Sequence, residues 1–79
     1  MTFVERLVDA LSSTDPNRRQ RAAMQLGALD VSPVMPRLVE AMASEADDFV
    51  RETLIWAVVA RPAAAAPALV DALGHDLPH

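Results

Sequence analysis

Apolar residues recur along this chain at helical spacing, in three stretches that read almost alike. Phe3, Val4, Leu7, Val8 and Leu11 form one stripe, with Glu5, Arg6 and Asp9 on the opposite side. A stripe at i, i+1, i+4, i+5 and i+8 is the signature of an amphipathic helix. Met35, Leu38, Val39 and Met42 repeat it, and Leu69, Val70 and Leu73 repeat it again. The strings F-V-E-R-L-V-D-A-L, V-M-P-R-L-V-E-A-M and A-A-P-A-L-V-D-A-L begin at Phe3, Val34 and Ala65, each 31 residues after the one before. A fixed period with three matches marks a repeat protein.

Two more helical stretches lie between these copies. Asp15-Pro16 supplies an N-cap and a first-position proline, and Ala22, Ala23, Leu26 and Leu29 continue one face to about residue 29. Asp47 opens the second stretch, in which Val50, Leu54, Ile55 and Val58 form the stripe; Arg61-Pro62 closes it. Thr2 and Glu5 predict a capping box for the first helix. Ser32-Pro33 predicts a cap for the second copy, with Pro36 near enough to the start to be tolerated. Gly74 predicts a left-handed C-cap for the third. No stretch alternates with period two. The expected fold is all-α, a short α-solenoid of stacked antiparallel helix pairs with about five helices. Its boundaries are repeat one at 2–30, repeat two at 32–61, a partial third repeat at 63–74 and a tail at 75–79. Neither pair can bury its stripe alone, so the pairs must stack.

Composition narrows the functions. The chain has 79 residues, 52% hydrophobic, with a formal charge of −4; all seven of its cations are arginine and it has no cysteine or tyrosine. Disulfide frameworks and thiolate metal sites are excluded, and the acidic balance argues against a nucleic-acid partner. The longest uncharged run, Pro62 to Val70, is far short of the roughly 20 residues needed to span a bilayer. Early acidic residues, Glu5 and Asp9, argue against a signal peptide, so a cytoplasmic location is expected. No metal or cofactor is expected. His75 and His79 could hold zinc only on a helix, and Gly74 and Pro78 oppose one. Glu45, Asp47 and Asp48 read as a capping and dipole cluster. None of Ser12, Ser13, Ser32 and Ser44 has a histidine beside it in a nucleophile motif, and Gly27 and Gly74 make no phosphate loop. The chain is read as non-enzymatic.

The run Asp15-Pro16-Asn17-Arg18-Arg19-Gln20-Arg21-Ala22-Ala23-Met24-Gln25-Leu26-Gly27-Ala28-Leu29 resembles the second helix of HEAT repeats, most closely the bacterial HEAT-like subtype of phycobilisome lyases. That subtype reads roughly D-P-x-V-R-x-x-A-A-x-A-L-G-x-L. Asp47 to Ile55 is a looser match, with Asp48 in place of the proline. Arg18 stands where the pattern has valine and Gln25 where it has alanine, which implies a more polar inner face in repeat one. The resemblance further implies that Asp15 with Arg19, and Asp47 with Arg51, both spaced i, i+4, link neighbouring repeats. Leu69, Val70 and Leu73 lack an intrachain partner helix. The chain is then expected to be a fragment of a longer array, or to complete itself by binding another chain or forming a homodimer through the C-terminal helix.

By the same resemblance, the variable positions of the second helix of each pair line the concave side. Phe49, Glu52, Thr53 and Trp56 fall there in repeat two, and Asn17, Gln20, Arg21 and Met24 in repeat one. An aromatic pair rimmed by charge has the composition of an interface anchor; the competing reading has Trp56 fill the junction with the next repeat. The expected function is a protein-protein interaction module or scaffold that binds a partner protein through this face. The alternatives are an accessory or lyase-like subunit acting on a bound cofactor-protein substrate, and a DNA-binding HEAT-like module that would use Arg18, Arg19 and Arg21.

Overall fold

The computed structural model describes residues 2–74, which form five helices. They are α1 (Phe3–Ala10), α2 (Pro16–Gly27), α3 (Met35–Ser44), α4 (Asp48–Val59) and α5 (Pro62–Gly74), with a 3-10 turn at Ser32–Val34 before α3. The expectations for His75, Asp76, Pro78 and His79 lie outside the described residues. Helix starts follow the caps. Thr2 Oγ1 accepts from the Glu5 amide at 3.1 Å, and the Glu5 carboxylate accepts from the Thr2 amide at 3.3 Å, completing the capping box. Asp15 accepts from the Asn17 amide, and Asp47 from the amides of Phe49 and Val50. Each carboxylate thereby satisfies donors that have no partner within the helix.

Four local expectations need correction. Ser32 does not cap α3; its amide and hydroxyl both donate to Asp30 Oδ1, at 3.1 and 2.8 Å, and α3 starts three residues later without a side-chain cap. Gly74 is the last residue of α5 and has no positive φ, so it makes no left-handed cap. The regular part of α2 stops at Gly27, and Ala28 and Leu29 tighten into i→i+3 bonds to Gln25 and Leu26. The i, i+4 pairs do not form. Asp15 and Asp47 are occupied as caps, Arg51 turns to Asp48 at 3.1 Å, and Arg19 crosses to Glu45 of the following repeat.

α1 folds back on α2, and α3 on α4. α2 then packs on α4 and α3 on α5, so the helices form two layers. Helices of 12 and 13 residues are about 18–20 Å long. The 39 Å dimension of the 39 × 24 × 22 Å molecule therefore runs along the stack. Leu26, Leu38 and Leu54 lie fully enclosed between the layers, in one cluster with Val31, Met35, Val50 and Val58. Across the α2–α4 junction Arg19 makes a two-pronged pair with Glu45, at 3.0 and 3.1 Å, and donates to the Ser13 carbonyl at 2.9 Å. The Glu45 side chain is only 6% exposed. It also accepts from the Asp47 amide, which holds the α3–α4 loop against α2. Arg61 closes the other end of the junction, donating to the Leu29 carbonyl at 3.2 Å.

Arg18 and Gln25 are not on the inner face. With Arg6 and Arg21 they line a groove at the N-terminal edge of the stack. Their counterparts one repeat later, Val50 and Ala57, are buried. The polar substitutions therefore fall on the face of α2 that no described helix pair covers.

Candidate functional site

α2 and α4 lie side by side, and their variable positions face the same way. Gln20 and Met24 are one helical turn apart on α2. Phe49, Thr53 and Trp56 are spaced i, i+4 and i+7 on α4, with Glu52 beside them. These six residues line one open concavity of about 420 Å3. Gln20 Nε2 donates to Thr53 Oγ1 at 2.7 Å, and the Thr53 hydroxyl donates to the Phe49 carbonyl at 3.2 Å. The floor of the concavity is thus a polar tie between repeats, and its walls are apolar. Gln20 Oε1 is buried beside this tie and has no hydrogen-bond partner among the described residues.

The other two expected residues do not line the concavity. Arg21 faces the N-terminal edge with Arg6 and Arg18. Asn17 is exposed in the first turn of α2, where its amide serves the Asp15 cap. Arg21 is one position beyond Gln20, about 100° further round the helix, and Asn17 is three before it in the first turn; the side of α2 that meets α4 is set by Ala23 and Leu26, both with no exposure.

Trp56 is neither enclosed nor free. It is 51% exposed, and the benzo ring of its indole lies directly over Gly27. A Cβ added at Gly27 would collide with that ring. The indole is seated on bare backbone at the end of α2, with its outer face open. Gly27 belongs to the site in this sense, and repeat reasoning alone missed it. The available signal was a glycine within an otherwise strong helical pattern, which often marks close approach. Phe49 and Met24 flank the seat at 67% and 55% exposure. Glu52 is exposed and forms no ion pair among the described residues.

A larger groove, about 570 Å3, lies on the other layer between α1 and α3. Most of its charges are already matched, Arg19 with Glu45 and Arg37 with Asp9 at 3.2 Å, Glu40 being the exception. The α2–α4 concavity differs in carrying exposed Met24, Phe49 and Trp56 together. Among the described residues no cluster of three or more His, Cys, Asp or Glu could hold a metal ion. No single described helix is long and apolar enough to cross a membrane.

Comparison with curated proteins and with solved structures gives no significant match. The sequence model of HEAT repeats does match, over residues 4–79. Such repeats are generally non-catalytic and mediate protein-protein interaction or scaffolding. The helix order, the two layers and the Arg19–Glu45 tie between successive pairs agree with that match, and the chain belongs to the HEAT repeat family.

Proposed function

We infer that the chain is a scaffold whose α2–α4 face holds a segment of a partner protein. The observation that carries this reading is the exposed cluster of Met24, Phe49 and Trp56 around one concavity, on a stack whose core closes without them. Aromatic side chains bury a large area at low conformational cost, and exposed apolar patches edged by polar groups mark interaction surfaces. Trp56 is pre-positioned by its seat on Gly27, so little rotamer freedom is lost when a partner covers it. Glu52 at the rim favours a partner with an arginine or lysine beside an apolar side chain. Glu52 on this face, and the placement of Arg18 and Arg21 at the N-terminal edge, weigh against phosphate binding here.

The test is affinity capture with the immobilised chain and with its Trp56→Ala and Phe49→Ala variants, each checked for helical content by circular dichroism. The expected result is a partner held by the parent chain and lost by both folded variants. A partner held equally well by both variants would refute this site.

A further inference from the structure

The two ends of the stack differ in chemistry. At the N-terminal end, Arg6, Arg18, Arg21 and Gln25 form a cationic, polar edge. At the C-terminal end, Ile55 and Val59 of α4 and Leu69, Val70 and Leu73 of α5 form a mainly apolar one, all but the partly covered Leu69 exposed, and its charged member, Arg51, is half-exposed and paired with Asp48. A groove of about 450 Å3 opens on this edge between α3, α4 and α5, lined by Met42, Arg51, Ile55, Val59 and Leu69 among others.

Register identifies what kind of surface this is. Stepping back one repeat, Ile55 corresponds to Ala23, Leu69 to Leu38 and Val70 to Val39. Those three residues are 0%, 0% and 3% exposed, whereas Ile55 is 42% and Val70 is 69% exposed. Val59 corresponds to Gly27, the residue under Trp56. The C-terminal edge is therefore a stacking face with nothing stacked on it among the described residues.

We propose that this face is covered by the same face of a second copy of the chain, in a closed, tail-to-tail dimer about a two-fold axis. Polarity selects the arrangement. A head-to-tail stack would press Val59 and Val70 against Arg18 and Arg21 and bury those cations without partners, which is strongly disfavoured. Tail-to-tail contact places Ile55, Val59, Val70 and Leu73 on their own kind, brings in Arg51 already paired with Asp48, and leaves both N-terminal arginine edges in water. A two-fold contact of this kind is self-complementary and closes at two copies. The two shorter dimensions of the molecule are 24 and 22 Å, so an end face is at most about 500 Å2 in projection. Two such faces give at most about 1,000 Å2, the low end for a specific association. The expected dimer is accordingly reversible rather than permanent.

The experiment is sedimentation velocity on the full 79-residue chain across a concentration series, with three variants. Val70→Glu and Val59→Arg alter exposed positions of the C-terminal edge, and Arg18→Glu alters the opposite end. Circular dichroism and melting confirm that each variant is folded. The proposal expects reversible growth from the 8.5 kDa monomer to twice that mass and no further. It expects the dimer dissociation constant to rise at least about tenfold in Val70→Glu, because the two-fold counts each new carboxylate twice. It expects no change in Arg18→Glu. A monomer throughout the series overturns the proposal. So does growth beyond the dimer, a dimer sensitive to Arg18→Glu, or a dimer that survives both Val70→Glu and Val59→Arg.

Discussion

Gly27→Ala tests the geometry of the site with the smallest change available, one methyl group. Two effects oppose each other. Alanine is a better helix former than glycine by up to about 1 kcal/mol in a helix interior, and by less at the last helical position. Gly27 has no positive φ, so alanine meets no backbone penalty there. Against this, the new Cβ occupies the space of the Trp56 benzo ring, which must swing away. A tryptophan buries about 150–250 Å2 when fully covered, so a ring that is 51% exposed has roughly 100 Å2 to lose. At about 25 cal/mol per Å2 that is roughly 2–3 kcal/mol in full, and about half of it for a ring that keeps part of its contact. The expected net result is a loss of around 1 kcal/mol, or a fall in Tm of about 4–8 °C for a domain of this size. Urea unfolding followed by circular dichroism gives the first quantity. Fluorescence gives an independent one, since the chain has a single tryptophan and no tyrosine. The emission should move to longer wavelength as the ring enters water. A variant with unchanged emission and a stability gain of several tenths of a kcal/mol would show helix propensity acting alone, and Trp56 would not be seated on Gly27.

Three further outcomes follow from the contacts that hold the stack. Glu45→Ala leaves the Arg19 guanidinium, only 17% exposed, with the Ser13 carbonyl as its remaining partner. Thermal unfolding should register a loss of about 2–4 kcal/mol, discounted from the fully buried case, while Arg19→Met with Glu45→Leu should recover most of it. Asp47→Ala removes the acceptor for two helix-start amides and should cost about 1 kcal/mol in urea unfolding. Asp48→Ala, one residue later, should cost less, since its 3.1 Å pair with Arg51 is solvent-exposed. The hydroxyl and amide of Ser32, with Arg61 nearby, hold the Asp30 carboxyl below the ordinary aspartate range. Because that pKa is depressed in the folded chain, its stabilisation is present above the unfolded value near 4 and is lost as pH falls through the folded value. The stability difference between the parent chain and Asp30→Asn should therefore shrink on acidification below about pH 4, as measured by urea unfolding at a series of pH values.

The repeat was legible because periodicity and register are one-dimensional signals. Leu7, Leu38 and Leu69 mark the same position three times, and a capping aspartate before α2 and α4 needs only its neighbours to act. The concave face was legible for a related reason. Gln20, Met24, Phe49, Glu52, Thr53 and Trp56 share helix faces by spacing alone, and stacking in register brings the two faces together. What failed was the choice among partners for a side chain that has several. Arg19 prefers a two-pronged bond to Glu45, 26 residues away, over an aspartate already committed as a cap. Ser32 bonds to Asp30 behind it rather than to the helix ahead. Arg18 and Gln25 read as oddities of an inner face because the sequence does not say which side of a helix lacks a neighbour. Their burial counterparts Val50 and Ala57 make the reason visible once the stack is assembled. Trp56 resisted assignment because spacing alone does not say how much of a ring is covered: one face of the indole packs on Gly27 and the other is open.

The central claim is that folding and binding use different faces, with Trp56 standing at the boundary. Its fluorescence during titration with a partner captured by the chain reports on that boundary directly. Coverage of the open indole face should shift the emission to shorter wavelength and shield it from iodide, saturating with the binding isotherm. Emission and iodide quenching that stay constant through saturation would place the partner elsewhere and contradict the account.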